Sequence, residues 1–495
     1  MRTLISATWI VSHDNGRHRL IRDGVVVYEG NRIIHVGKSF DGTADRTIDA
    51  AGKLVAPGFI DTHVHTGHRA SHRLITDTGR PMYFGQPFLE ISVPKEGAVV
   101  KGDPRYLKHG DARAEAAFAL NATFTVVELL RNGVTTFVEF GSQQRVQDAL
   151  LSEVTRLGTR AYLAPGYDCG RWVGDESGRL KRVRNDQLGL DGLKISLDWI
   201  ERNDGAAGGR VRGILVPREV ETASVELLRK TREAADRHKL PMATHAAYSV
   251  LEFHDVMREH MKTPIELLDD LGMLRATLNI GHGNFIADNP NLNYSRARDL
   301  ELMGNAGTTI SHCPINIVRR ARALDNWKRY REAGVNISIG SDTYPRDMIM
   351  NMRTASYMGK LMSHSYFAAT AGEVFEGATL GGAVSLGRDD LGRLAPGALA
   401  DIIIIDLSGQ DTLRYGPVRD PVRSLVECGI GDDVDTVIVD GRICMESGTI
   451  PGIDFRKLNA EAQSAAEAIW STLPEWDPLG RTAEEACPLC YQEDE

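Results

Sequence analysis

The chain has 495 residues, a formal net charge of −9, 42% apolar and 25% charged residues. This is an ordinary globular composition, which excludes disorder as the main state, and its acidic balance argues against nucleic-acid and anionic-membrane partners, which call for a basic face. No run reaches the ~18 apolar residues of a membrane helix, the six scattered cysteines make no disulfide framework, and MRTLISATWIVSHDNG carries no export-type cleavage site, so a cytoplasmic protein is expected.

The first 57 residues alternate in strand fashion, TLISATWIV and then LIRDGVVVYEGNRIIHVG, with Asp-Gly and Gly-Asn as turn signals. The same texture returns in GALADIIIIDL (397–407) and VDTVIVDGRI (434–443). These stretches are expected to pair into one small β-sandwich domain built from both chain ends, residues 1–57 plus 393–450. Between them, eight short apolar runs alternate with helix-like segments. They are GFIDTHVH (58–65), VTTFVEF (134–140), RAYLAP (160–165), VRGILVP (211–217), MATHA (242–246), TLNIGH (277–282), TTISHC (308–313) and VNISIGSD (335–342). Continuous apolar strands suit a parallel sheet buried on both faces, and eight of them close a (β/α)8 TIM barrel over residues 58–392. An open doubly wound sheet is the competitor, but no glycine-rich phosphate turn follows the first strand. A long excursion, roughly 66–118, carries Tyr83, Phe84, Phe88, Pro81, Pro87 and Pro94 and reads as a lid or binding element. Residues 451–495 read as a helix and an acidic tail, packed across the barrel or on a neighbouring subunit.

The strongest chemical signal is His63-Val64-His65. Residues i and i+2 of a strand share a face, so both imidazoles can converge on one ion. His245, His282 and Asp342 sit at the ends of later strands, where a barrel gathers distant positions and places its active site. Three imidazoles and a carboxylate (His63, His65, His245, Asp342) suit Zn2+, with Fe2+, Mn2+ or Co2+ as alternatives. Such an ion would acidify a bound water into a hydroxide nucleophile; Asp342 could take its proton and His282 could bond to the water or polarise the substrate. A two-metal version needs a bridging carbamylated lysine, and VRGILVP has none; Lys194 falls in a helix-like segment. One divalent ion per chain is expected.

APGFIDTHVH, the single histidines 245 and 282, SHCPIN (311–316), GSD (340–342) and LAPGALADIIIID (394–406) resemble the amidohydrolase superfamily, and within it the one-metal branch of cytosine and guanine deaminases and triazine hydrolases. The likeness covers about residues 1–450. It implies the distorted barrel with its β-sandwich, a hydrolase of C–N or C–Cl bonds, a homodimer or higher homo-oligomer, the metal ligands and catalytic His282 as above, and Asn316 as a substrate contact. One position departs: deaminases of this branch carry a glutamate three residues after the fifth-strand histidine, and here Tyr248 stands there. A phenol of pKa near 10 is a poor proton shuttle at neutral pH. The expected reaction is therefore hydrolysis of a non-peptide C–N bond in a small amide, urea or carbamate-like compound. The alternative is an aminohydrolase or chlorohydrolase of purines, pyrimidines or triazines, and a catalytically silent binding barrel is the rival from another class.

His68, Phe84, Phe88 and Tyr248 are candidate substrate contacts, the loop aromatics because apolar pockets favour rings. The pair His68/His72 reads first as a polar loop, His312 as a structural or supporting residue, and His364 as an ordinary helix residue. Arg319, Arg320 and Arg322 read as a solvated surface, with contact to an anionic substrate as the alternative. The lone Cys487-x-x-Cys490 is weak evidence for zinc or redox work.

Overall fold

The computed structural model describes residues 1–66, 74, 93–97, 112–296, 298–408 and 413–491. Strands β1 (Arg2–Asp14) and β2 (Arg17–Glu29) form an antiparallel hairpin, followed by β3 (Arg32–Gly37) and β4 (Arg46–Pro57). The β1–β2 turn is Asn15-Gly16, with φ of 48° and 77°, the left-handed pair a two-residue hairpin needs. Gly30-Asn31 makes the next turn. Asp23-Gly24 makes none: it lies inside β2, and the register runs unbroken past it, Ala7 facing Gly24 and Trp9 facing Arg22. Asp23 absorbs the kink with φ of 50°.

The barrel strands follow, all parallel to their neighbours. They are β5 (Phe59–Val64), β6 (Val134–Glu139), β7 (Arg160–Leu163), then, after the antiparallel hairpin β8 (Gly170–Gly174)–β9 (Leu180–Arg184), β10 (Val211–Gly213), β11 (Met242–Ala246), β12 (Leu278–His282), β13 (Thr309–His312) and β14 (Asn336–Ile339). Helices cross between them, among them α1 (Ala112–Arg131), α2 (Gln144–Leu157), α3 (Asp186–Asn203), α4 (Val225–His238), α5 (Val250–His260), α6 (Asp299–Ala306) and α7 (Met348–Met362). The strands form two four-stranded halves, β10-β7-β6-β5 and β11-β12-β13-β14. Two seams join the halves into a closed ring. Ala243 N donates to Leu215 O at 2.9 Å on one side; on the other, Asp342 N donates to His63 O at 2.7 Å and His65 N to Asp342 O at 2.9 Å. All eight expected strands are present, and the open doubly wound alternative is excluded.

The barrel interior is not filled by branched aliphatic residues alone. Thr62 Oγ1 meets Ser311 Oγ at 2.5 Å, Ser338 Oγ at 2.8 Å and Ile339 O at 3.1 Å, and Asn279 Nδ2 donates to Thr62 O at 2.7 Å. These bonds tie β5 to β12, β13 and β14 beneath the strand ends. The helices that follow the site strands start firmly: the Ser224 side chain accepts from Leu227 N at the head of α4, and Ser249 from Glu252 N at the head of α5.

Strands β15 (Ile402–Asp406), β16 (Val434–Val439) and β17 (Arg442–Met445) complete a seven-stranded sheet in the order β17-β16-β15-β4-β1-β2-β3. Both chain ends therefore share one sheet, as the alternating stretches require. Its β3 edge folds back onto the segment that leads into β15: Ile33 N donates to Ala398 O at 2.9 Å, Gly397 N to Ile33 O at 2.8 Å and Ala400 N to Asn31 O at 2.9 Å. Ile5, Ile10, Val26, Val55, Ile402 and Ile438 share the enclosed core. A buried bidentate ion pair, Arg160 to Asp401 at 3.0 and 3.1 Å, locks this domain to barrel strand β7.

Lys194 lies in α3, as expected. His364 does not lie in a helix; it sits in the turn after α7 with φ of 47°. Helix α8 (Phe455–Trp470) packs on the same chain's α1, where the Arg131 guanidinium lies 5.1 Å from the Phe455 ring. Cys487 is buried and Cys490 exposed, and neither belongs to a metal-capable cluster among the described residues. No helix among the described residues is long and apolar enough to cross a membrane.

Candidate metal centre

The ends of β5, β11, β12 and β14 bring the five expected residues together. His63 Nε2 lies 3.0 Å from His65 Nε2 and 3.2 Å from His245 Nε2, and the last two are 3.1 Å apart. The Asp342 carboxylate faces this group, 3.7 Å from His65 Nε2 and 3.6 Å from His282 Nε2. His282 and Asp342 both have left-handed backbones, with φ of 75° and 63°. Such conformations are rare outside glycine and concentrate at functional sites, where the surrounding structure enforces them.

Each imidazole is aimed by a different device. His63 is held by shape: its ring stacks on Phe140 with centroids 3.7 Å apart and planes within 7°. Gly281 and Gly340 leave room for it, since a Cβ at the first would come 2.7 Å from His63 Cε1 and at the second 2.6 Å from His63 Cβ. His65 is held through its backbone, whose carbonyl accepts from Arg346 Nη2 at 3.1 Å, while Arg346 Nη1 pairs with Glu128 of α1 at 2.7 Å. His245 donates Nδ1–H to Arg218 O at 2.7 Å, which leaves the Nε2 lone pair pointing at its partners. Buried Asp61 ties the two seam strands by accepting from His63 N at 3.2 Å and Ser341 N at 3.0 Å, and burial pushes its pKa up to about 6.

Three lone-pair nitrogens meeting at this range repel one another unless a cation lies among them. In a tetrahedral zinc site with Zn–N near 2.0–2.1 Å, ligand nitrogens stand about 3.3–3.4 Å apart. The donor set therefore fits one divalent ion held by His63, His65, His245 and Asp342. Burial drives the His245 and His282 pKa values down, which keeps both rings neutral at pH 7 and suits one to ligation and the other to donating a single N–H. Burial also raises the Asp342 pKa, against the opposing charge of Arg320. Cys313 lies beside His282 and Asp342, but burial holds its thiol protonated and it bonds to Ser311 O.

Asn316 is buried at the site, where its amide donates to Asp342 Oδ2. Tyr248 flanks the cluster, its ring 6.0 Å from that of His245 and 6.3 Å from that of His282. His312 is buried without touching the cluster's metal-facing atoms; its ring meets Trp327 edge-on, and burial lowers its pKa to about 4. His68, His72, Phe84 and Phe88 lie outside the described residues. The arginine cluster needs correction. Arg319 is surface, stacked over Tyr344 at 4.4 Å, but Arg320 turns inward, where burial lowers its pKa to about 10 and its charge acts on Asp342, His245 and His282.

Sequence reasoning missed Phe140, Arg320 and Glu221. Phe140 ends VTTFVEF and could have been placed at the site by its position at a strand end. Glu221 sits in the loop after β10 in a string, PREVETAS, that looks like any polar connection. In three dimensions its buried carboxyl accepts from the Tyr248 hydroxyl and, at 3.3 Å, from Trp172 Nε1.

A family model described as the amidohydrolase family matches residues 54–444. A 5-methylthioadenosine/S-adenosylhomocysteine deaminase of Thermococcus onnurineus is 29% identical over 444 residues, 86% of this chain and 93% of that protein. A 5'-deoxyadenosine deaminase of Methanothermobacter thermautotrophicus is 29% identical over 91% of this chain and 95% of its own. Among solved structures, a zinc-bound adenosine deaminase from Xanthomonas campestris superposes with a TM-score of 0.77 at 20% identity, covering 94% of this chain and 98% of that one. The ring of β/α units, the imidazole–carboxylate cluster at its strand ends and the matched family model lead to one assignment: this chain belongs to the amidohydrolase family, hydrolases of carbon–nitrogen bonds.

Proposed function

We propose that the chain is a one-metal aminohydrolase that releases ammonia from an amino group on a nitrogen heterocycle. The mutual approach of the His63, His65 and His245 nitrogens beside Asp342 and His282 carries this reading. The ring substrate is supported by relatives named for deamination of 5'-modified adenosines, matched along most of both chains. His63, His65, His245 and Asp342 would hold the ion, with zinc the first candidate given the donor set and the zinc in the adenosine deaminase structure. When bound, it lowers the pKa of a water towards neutrality and so supplies the nucleophile.

The remaining work falls to the chain's own groups. The Asp342 carboxylate, steadied by Asn316, takes the proton of the attacking water and returns it to the departing nitrogen, so that water and an amine become a hydroxyl and ammonia. Neutral His282 donates to the oxygen where charge develops. Arg320 supplies positive charge that opposes the rise burial imposes on the Asp342 carboxyl. A second reading, hydrolysis of an amide, urea or carbamate, is favoured by Tyr248, because a carbonyl substrate does not need a ring nitrogen protonated.

A panel of aminopurines, aminotriazines, amides, phenylureas and carbamates, scored for ammonia or amine, tests the choice. Ammonia from the ring amines is the expected result. Amine release confined to the carbonyl compounds would replace the first reading by the second.

A further inference from the structure

Attack at an electron-poor ring carbon needs a proton on the ring nitrogen, and Tyr248, whose ring flanks His245 and His282, carries a hydroxyl beside the cluster. Its environment differs from ordinary packing. Three glutamates surround it: Glu219, Glu221 and Glu252. Glu252 is fully used by the backbone, Oε1 accepting from Ala247 N at 2.9 Å and Oε2 from Tyr248 N at 3.1 Å, and so shapes the turn after β11. Glu219 accepts from Thr222 Oγ1 at 2.9 Å. Glu221 is different. It is 2% exposed, Oε1 takes the Tyr248 hydroxyl and Trp172 Nε1, and Oε2 has no hydrogen-bond partner among the described residues.

A carboxyl buried beside two others is expensive, and a structural bond to a phenol would be made as well by glutamine. The loop that carries Glu221 is also held through its backbone by Arg182 of β9, which donates to Glu221 O at 2.5 Å. Tyr248 is half-buried, between this carboxyl and the cluster.

We infer that Glu221 is the proton reservoir of the site, a positioning residue that acts on the substrate through the Tyr248 hydroxyl. This rests on the ring-amine reading of the same centre. In the step, the Tyr248 hydroxyl, which donates to Glu221 at rest, turns to the substrate, and its O–H bond breaks as an N–H bond forms on the ring. The Glu221 O–H proton passes to the phenol oxygen, and the carboxylate left behind regains a proton when the ring nitrogen is released, with the water's own proton leaving on the ammonia. Burial beside Glu219 pushes the Glu221 pKa up to about 8, so the carboxyl carries a proton to give at pH 7; Tyr248 and Trp172 oppose that rise only in part.

Four variants test the relay: Glu221→Gln, Tyr248→Phe, the two combined, and Glu221→Gln with Tyr248→Glu. Each single change is expected to lower kcat by about 100-fold or more with little change in KM, and the double to be no worse than either single. The fourth, which places a carboxyl directly at the cluster, is expected to recover at least about tenfold over Glu221→Gln. Metal content is expected to stay at the wild-type level throughout. Without turnover, 13C-carboxyl NMR on glutamate-labelled protein is expected to show, among the resonances titrating above the usual range, one that is lost in Glu221→Gln and moved to higher pH in Tyr248→Phe. Near-wild-type kcat in either single variant, additive losses, no rescue or an unmoved resonance would overturn the inference, as would loss of metal. Should the wild type cleave only carbonyl substrates, the ring-amine reading fails and the relay with it; a wild type that frees ammonia from ring amines while the single variants do so equally well loses the relay alone.

Discussion

The two sides of the metal centre are built on different physics. Around His63 the wall is shape: a stacked Phe140, two glycines where a methyl group would collide, and a hydrogen-bonded polar layer below. Around Tyr248 the wall is charge: Glu221 and Glu252 are buried, Glu219 lies beside them, and the Glu221 Oε2 has no partner among the described residues. Stacking and close contact fix ligand positions without a proton to gain or lose. A wall of buried carboxyls is strained in free energy and responds to proton activity, which is a property useful to a group that must give and regain a proton.

The comparison is broken most severely at the point where the two walls meet. Asp342→Asn keeps the shape of the side chain and removes its charge; turnover is expected to fall by at least about 1,000-fold with an unchanged far-UV circular dichroism spectrum. An active variant would remove Asp342 from the proton path. His63→Ala strips a ligand from the packed side, and elemental analysis is expected to show bound metal dropping from about one equivalent to a small fraction.

The charged side makes a prediction about pH. The Glu221 carboxyl keeps its proton up to about 8 in the fold, against a value of 4.5 when unperturbed. The folded chain thus binds more protons than the unfolded chain between these values, and this group's contribution to stability falls as pH rises through the interval and then levels off. Glu221→Gln removes that loss. Its melting temperature is expected to gain on the wild type from pH 5 to pH 8, with a free-energy difference on the order of a few kcal/mol at the upper end. A difference independent of pH would mean that the carboxyl is not strained.

The smallest effect comes from the packed side. Gly281→Ala is expected to cost about 1–3 kcal/mol of stability through overpacking against His63, without pH dependence. Equilibrium denaturation at pH 6 and pH 8 checks both parts. A slope with pH in this variant would blur the distinction between the walls.

Much of this site was legible because strand geometry is periodic. His63 and His65 share a face by alternation alone, and the ionisable residues His245, His282 and Asp342 that end PMATH, TLNIGH and NISIGSD stood out. The barrel followed from counting those runs, and the end-to-end sheet from matching textures more than 330 residues apart. What could not be read depends on contacts made across loops. Arg320 was indistinguishable from its neighbours Arg319 and Arg322 until the turn after β13 pointed it inward. Glu221 has a role only because the loop after β10 lies against the start of α5. Asp23-Gly24 carries a turn dipeptide, yet the flanking apolar residues of β2 pair so well with β1 that the strand runs through it. Tyr248 was singled out as an anomaly by resemblance, but its meaning lay with its partner.

The central claim is that one divalent ion sits among His63, His65, His245 and Asp342. X-ray absorption at the zinc edge on purified protein, with elemental analysis of the same sample, tests it most directly. The account predicts about one ion per chain, with imidazole nitrogen scattering near 2.0–2.1 Å and a light-atom shell completed by oxygen. Protein that purifies without a transition metal and does not take one up, or that carries two per chain in a metal–metal shell, would contradict it.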